Sequence, residues 1–380
     1  DVRLLQMFQY KAFAAAGTIQ EQPEVDTRTL SLGQSLARFA PHLLALVFPL
    51  NALCFTLTGP HRGWVAPLFI LPIILCSFLD AKSASTTRPP ALHIARWPFN
   101  ALLLLLVALQ LGNLVLLARM IAQTGAWISW DGVVGMIVVG SSSAYSGIVV
   151  AHELIHRPGK GWQSLGRILL MSVLYEHFFT EHIRGHHVRV GTHEDPATAR
   201  FGETFNQFYF RTVPAQFFSA WQLEQSRLAH PAWYQPRLWR NRVLQGVVVE
   251  LAAVVAVGLG FGFGAVITHL TQAWWAARAL EVVNYFEHWG IERRGKRVLP
   301  VHSWDTHSRF TYYALTGLSR HADHHAFASR PYDQLRVWQQ SPKLPSGYLG
   351  MFPLVLARNG RFRELMTAEL KRKRLGPFEQ

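Results

Sequence analysis

Apolar positions along this chain fall into blocks too long and unbroken for a surface helix. Residues 42–59, HLLALVFPLNALCFTLTG, contain no Asp, Glu, Lys or Arg. A helix crossing the hydrocarbon core of a bilayer needs about 20 such residues. Residues 64–79, WVAPLFILPIILCSFL, follow after a short turn, with Pro67 and Pro72 placed to kink or loosen the helix. Residues 99–118, FNALLLLLVALQLGNLVLLA, and 132–152, GVVGMIVVGSSSAYSGIVVAH, give a third and a fourth span. The small residues at 140–147 suit close helix packing, with room for substrate before His152 as the alternative. The last apolar block, 243–286, is interrupted by GLGFGFG at 258–264 and reads as a hairpin of two spans. The pattern predicts an all-α integral membrane protein with about six transmembrane helices.

Basic residues give these spans a direction. Lys82, Arg88 and Arg96 lie between the second and third spans, and Arg157, Lys160 and Arg167 follow the fourth. The chain closes on Lys371-Arg372-Lys373-Arg374, whereas the alternate turns carry only Arg62 and Arg119. Lys and Arg collect on the cytoplasmic side. Both termini are therefore expected there, in the inner (plasma) membrane, with a histidine-rich helical cap. The expected organisation is a cytoplasmic segment at 1–40 and four spans in 41–152. A cytoplasmic stretch at 153–242, two spans in 243–287 and a cytoplasmic tail at 288–380 complete one functional unit.

Composition agrees. Half of the residues are hydrophobic and 16% are charged, against roughly a quarter charged in soluble domains. The net charge of +14 is accounted for mostly by that topology, and no nucleic-acid motif accompanies it. Residues 1–30 are mixed and polar, without the apolar core of a secretory leader, so a secreted product is not expected. The two cysteines, Cys54 and Cys76, form no C-x-x-C pair, which removes a cysteine metal centre and a disulfide framework.

Histidines supply the chemistry. HELIH (152–156), EHIRGHH (181–187), NYFEHWG (284–290) and RHADHH (320–325) hold His152, His156, His182, His186, His187, His288, His321, His324 and His325. On a helix, residues three and four apart share a face. His152 with His156, His182 with His186, and His321 with His324 and His325 are thus expected to point together. His187 would turn aside toward a second metal. H-E-x-x-H by itself suggests a zinc protease with Glu153 as base. That reading strands the other seven histidines and finds no third ligand in a later span. A haem or metal carrier needs fewer. Nine imidazoles exceed one ion, and four or five nitrogens each suit two irons with positions left open. Glu153, Glu181, Glu287 and Asp323 adjoin these histidines and are candidates to orient them through the distal N–H.

The four boxes, with EDPATARFGE at 194–203 and RHADHHAFASRPYDQLR at 320–336, resemble those of the membrane alkane monooxygenases, in the fatty-acid-desaturase-like family. The resemblance runs from about 152 to 336. It implies that the nine histidines hold two non-haem irons at the cytoplasmic ends of the spans. O2 and two electrons would hydroxylate the end of a medium-chain n-alkane drawn from the bilayer. The isolated His288 separates this subgroup from desaturases. Ala322 and Phe327-Ala328-Ser329 depart from the usual last box, which keeps alkyl-aromatic hydroxylation of the xylene monooxygenase kind as an alternative. Rubredoxin is the electron donor that the family implies, and Arg293, Arg294, Lys296 and Arg297 are candidates for its docking, with anionic lipid headgroups as the simpler use of that charge.

Overall fold

The computed structural model describes residues 23–125 and 127–379; part of the expected N-terminal segment, residues 1–22, lies outside the described residues. Among the described residues, four helices are long and apolar enough to cross a membrane: Leu32–Thr58, Trp97–Thr124, Trp130–Ile155 and Arg242–Phe261. They correspond to four of the six expected blocks, and each runs past its block at one or both ends. The 64–79 block forms two pieces, Val65–Leu68 and Leu71–Ala81, with Pro72 in the first turn of the second. There the missing proline N–H costs nothing. The 243–286 block is a hairpin of two helices, of which the first is one of the four. Arg242–Phe261 and Phe263–His288 meet at Gly262, whose φ of 85° is open to glycine.

Caps fix several starts. The Ser129 side chain accepts from Gly132 N, Asn241 from Leu244 N, and Thr204 opens the Phe205–Arg227 helix with a capping box. The described residues hold one sheet, two short parallel strands at Asp26–Thr29 and Ala91–His93.

Side chains on the outer faces invert the pattern of a water-soluble protein. Leu259 is 86% exposed, Leu251 61% and Val115 57%, while a buried acid, Asp80, sits at the end of the Leu71–Ala81 helix. Such a surface fits lipid. One core cluster, including Phe55, Leu117 and Val138, packs the Val47–Thr58, Trp97–Thr124 and Trp130–Ser142 helices together. The larger cluster joins Leu103, Leu106 and Leu154 to Trp289, Trp304, Tyr348 and Phe362. Asp80 ties the Leu71–Ala81 helix to the C-terminal part of the chain. It accepts from Ser308 Oγ (2.5 Å), Thr311 Oγ1 (2.7 Å) and Leu349 N (2.7 Å). That carboxylate caps the start of the Tyr348–Ala357 helix.

Candidate metal centre

His152 lies in the last turns of the Trp130–Ile155 helix, and His288 ends the Phe263–His288 helix. The structure brings all nine box histidines to this end of the bundle in two neighbouring groups. His152, His156, His182, His187 and His324 place one nitrogen each within 4.8 Å of one another. His186, His288 and His325 do the same, as do Glu287, His288 and His321. His288 belongs to both of these, and His325 Nε2 lies 3.0 Å from His321 Nε2, so they form one four-histidine set with Glu287 beside it.

This partition separates His187 from His186, as expected, but differs from the expectation in which of the two joins His182. His182 shares its set with His187 (Nε2 to Nε2, 3.1 Å), not with His186, which meets His325 at 3.3 Å. The reason is backbone shape. Glu181–His186 is a π-helical turn, closed by i→i+5 hydrogen bonds, which brings residues five apart round to one face. The His182 and His186 rings still lie parallel 5.3 Å apart, but their Nε2 atoms serve different sets. In the short His321–Ala326 helix, His321 and His325 do share a face, but His324 turns away to meet His187 at 3.1 Å.

Several imidazole nitrogens about 3 Å apart cannot all be hydrogen-bonded, because a facing pair shares one proton. They match neighbouring donors on one ion with bonds of about 2.1 Å. The buried Nε2 atoms of His152 and His156 find no hydrogen-bond partner among the described residues. Burial pushes His182, His187, His321, His324 and His325 well below the usual histidine range. Neutral rings with free lone pairs are what a metal requires. Five converging nitrogens exceed the three protein ligands of a catalytic zinc. The residues fit two metal ions, of a kind that accepts five and four imidazoles.

The four candidate carboxylates behave differently from the expectation. Glu153 Oε1 accepts from Arg157 Nε (3.0 Å) and Nη2 (2.9 Å), which also disposes of it as a free hydrolytic base. Glu181 pairs with Arg189 at 2.6 Å. Asp323 accepts from Trp338 Nε1 (2.7 Å) and Arg336 N (3.0 Å) and pairs with Arg330. In each case a cation or an N–H from the same neighbourhood reaches the acid, and the side chain anchors its helix instead of an imidazole. Glu287 does approach an imidazole, but on the metal side: its Oε2 lies 3.3 Å from His321 Nε2, while Tyr348 Oη donates to its Oε1 at 2.6 Å.

Asp195 takes the role foreseen for them. Its Oδ2 lies 2.9 Å from His186 Nδ1, which turns Nε2 inward, and it also accepts from Thr198 Oγ1 at 2.6 Å. Burial works against its charge, yet His186 and Thr198 hold its carboxyl below the usual range. It sits inside EDPATARFGE, a stretch that resembles the family's without singling out this residue. Arg293 is spent on the backbone. It donates from Nε to Val190 O (2.8 Å) and from Nη2 to Val188 O (2.7 Å), bracing the segment after His187. Gly191 allows this approach, since a Cβ there would stand 2.9 Å from the Arg293 Cβ. Arg294 faces Glu379 at 3.9 Å, and Lys296 and Arg297 are exposed.

Beside the histidines lies an apolar cavity of about 320 Å³. His152, His182, His321 and Glu287 form part of its wall, and Phe48, Trp275 and Phe352 are among the side chains that make it dry.

Residues 128–354, which contain every one of these histidines, match the family model for fatty acid desaturase. Alkane 1-monooxygenase 1 of Pseudomonas aeruginosa is 37% identical over 331 residues, 83% of this chain and 85% of the relative. The chain belongs to the alkane 1-monooxygenases of the fatty acid desaturase family. Alkane 1-monooxygenase 2 of the same organism is 38% identical over 268 residues, 68% of this chain and 70% of the relative. The alkane 1-monooxygenase of Acinetobacter baylyi is 38% identical over 221 residues, 56% of this chain and 53% of the relative. The apolar cavity adjoins both histidine sets.

Proposed function

We propose that this chain is a non-haem diiron monooxygenase that converts medium-chain n-alkanes to primary alcohols. The observation that carries this reading is the pair of histidine sets opening on an apolar cavity, in a chain similar over most of its length to alkane 1-monooxygenases. His152, His156, His182, His187 and His324 would hold one iron, and His186, His288, His321 and His325 the other.

Bound iron would supply the oxidising power of O2, without which an unactivated C–H bond offers nothing to acid, base or nucleophile. The remaining work falls to the protein. The apolar walls exclude water and hold an alkane by burial of its methylenes, worth about 0.8 kcal/mol each. Tyr348 Oη, donating to Glu287 Oε1 at 2.6 Å, keeps an exchangeable proton next to the cavity. Asp195 fixes the ring of His186.

Alkane, O2, two electrons and two protons give alcohol and water, and this chain has no cysteine centre to store the electrons. They come from an external donor, rubredoxin or a protein like it, drawn by exposed cations such as Lys296 and Arg297. The four long apolar helices, with Val65–Ala81 and Phe263–His288, form six crossings of the inner membrane. Both termini and the stretches 153–242 and 288–380 face the cytoplasm, which the distribution of Lys and Arg supports.

Iron-loaded protein in nanodiscs, given decane and a rubredoxin–reductase pair, is expected to form 1-decanol with two irons per chain. An alkene as the product, or one zinc with proteolysis, would overturn the assignment.

A further inference from the structure

Gln110 lies midway along the Trp97–Thr124 helix, buried among leucines and valines. Its amide is fully engaged. Nε2 donates to Ser143 Oγ at 3.0 Å and to Ser172 Oγ at 3.2 Å, while Oε1 accepts from Ser146 Oγ at 2.8 Å. Ser143 and Ser146 both belong to the π-helical turn Ser143–Val149, which interrupts the Trp130–Ile155 helix. Gly147 of the same turn leaves the amide its space, since a Cβ there would stand 3.1 Å from Gln110 Nε2. A polar amide inside a membrane bundle is costly unless bonded, and a π turn is rarer and less favourable than an α turn. The two exceptions coincide here.

The turn ends three residues before His152 and seven before His156. One extra residue in a helix rotates everything beyond it by about 100°. The bearing of both histidines therefore depends on the turn. So does the cavity wall, to which Ala144, Tyr145, Ile148 and Val149 contribute. The other set draws His186, His288, His321 and His325 from segments this turn does not contain.

We propose that Gln110 is a positioning residue for the five-histidine set: by clamping the π turn it aims His152 and His156 at one ion of the pair. The inference rests on the two-ion reading given above. It requires that loosening the clamp disturb one ion and spare the other, which general loss of packing would not do.

Three variants test it in intact protein in detergent. Gln110→Met keeps length and removes all three bonds. Ser146→Ala removes the clamp's bond on the π turn together with the bond from Ser146 Oγ to Ser142 O. Ser172→Ala removes the clamp's bond on the side away from that turn together with the bond to Leu169 O. Iron per chain and the Mössbauer spectrum of the ferrous protein are the readouts. Gln110→Met and Ser146→Ala are expected to lose or alter one of the two iron signals while the second persists; Ser172→Ala keeps both. Equal loss of both signals, an unchanged spectrum in folded Gln110→Met or Ser146→Ala, or an equal effect of Ser172→Ala overturns the proposal. Wild-type protein that takes up no iron overturns instead the two-ion reading beneath it. If Gln110→Met does not fold, the two serine variants decide.

Discussion

His186 and His187 are neighbours in the chain and serve different sets: His187 Nε2 stands 3.1 Å from His182 and from His324, whereas His186 Nε2 meets His325 at 3.3 Å. A single peptide unit thus links the two sets, so the orientation of either ring constrains the other.

Asp195 is what holds His186 in that orientation. Asp195→Asn is expected to weaken iron in the four-histidine set by about 10–100-fold, the usual cost of losing a carboxylate behind a metal-bound histidine. Iron retention against a graded chelator measures this, and wild-type retention would contradict it.

Arg293 braces Val188 and Val190 immediately after His187. Arg293→Ala should lower iron content and thermal stability and leave the salt dependence of the donor's KM unchanged. Substituting Lys296 and Arg297 should do the reverse, raising that KM and flattening its response to ionic strength. A donor-specific effect at Arg293 would restore it as a docking residue.

Trp275 lines the cavity, and its Nε1 donates to Ser141 Oγ at 3.1 Å. A Cβ on Gly140 would stand 2.8 Å from the indole. Gly140→Ala must push that ring, and with it the cavity wall. Competition between a short and a long alkane should shift toward the shorter by about 10-fold, the scale of pocket discrimination between homologues. An unchanged product ratio would place Trp275 outside the substrate's path.

Acid should destabilise the metal-free protein. His182, His187, His321, His324 and His325 are held by burial well below their ordinary value of 6.5. Below that pH the unfolded chain takes up protons that the folded chain refuses, so stability falls as pH drops from about 6.5 toward the folded values. Thermal unfolding of apo-protein across this range is the measurement. Iron loading should extend the stable range downward, since a bound ion occupies the same lone pairs.

Much of this protein can be read from its residues alone. Long runs without charge specify membrane helices because a helix satisfies its backbone groups within its own segment in lipid. Four histidine boxes announce a metal centre because their spacing is short-range and helical. EDPATARFGE even contained Asp195, although nothing local indicated that it would face His186 from nine residues away. Assignment of the rings to the two sets was beyond the sequence, because i, i+4 reasoning presumes an α-helix and the Glu181–His186 turn is π-helical. The acidic neighbours Glu153, Glu181 and Asp323 were out of reach for a related reason. Adjacency in sequence says little about which cation, brought in by tertiary contact, will take the carboxylate. The sequence determined which side chains are available and that they belong in a membrane; tertiary packing decided which way each one faces, since direction depends on distant partners such as Gln110, Asp195 and Tyr348.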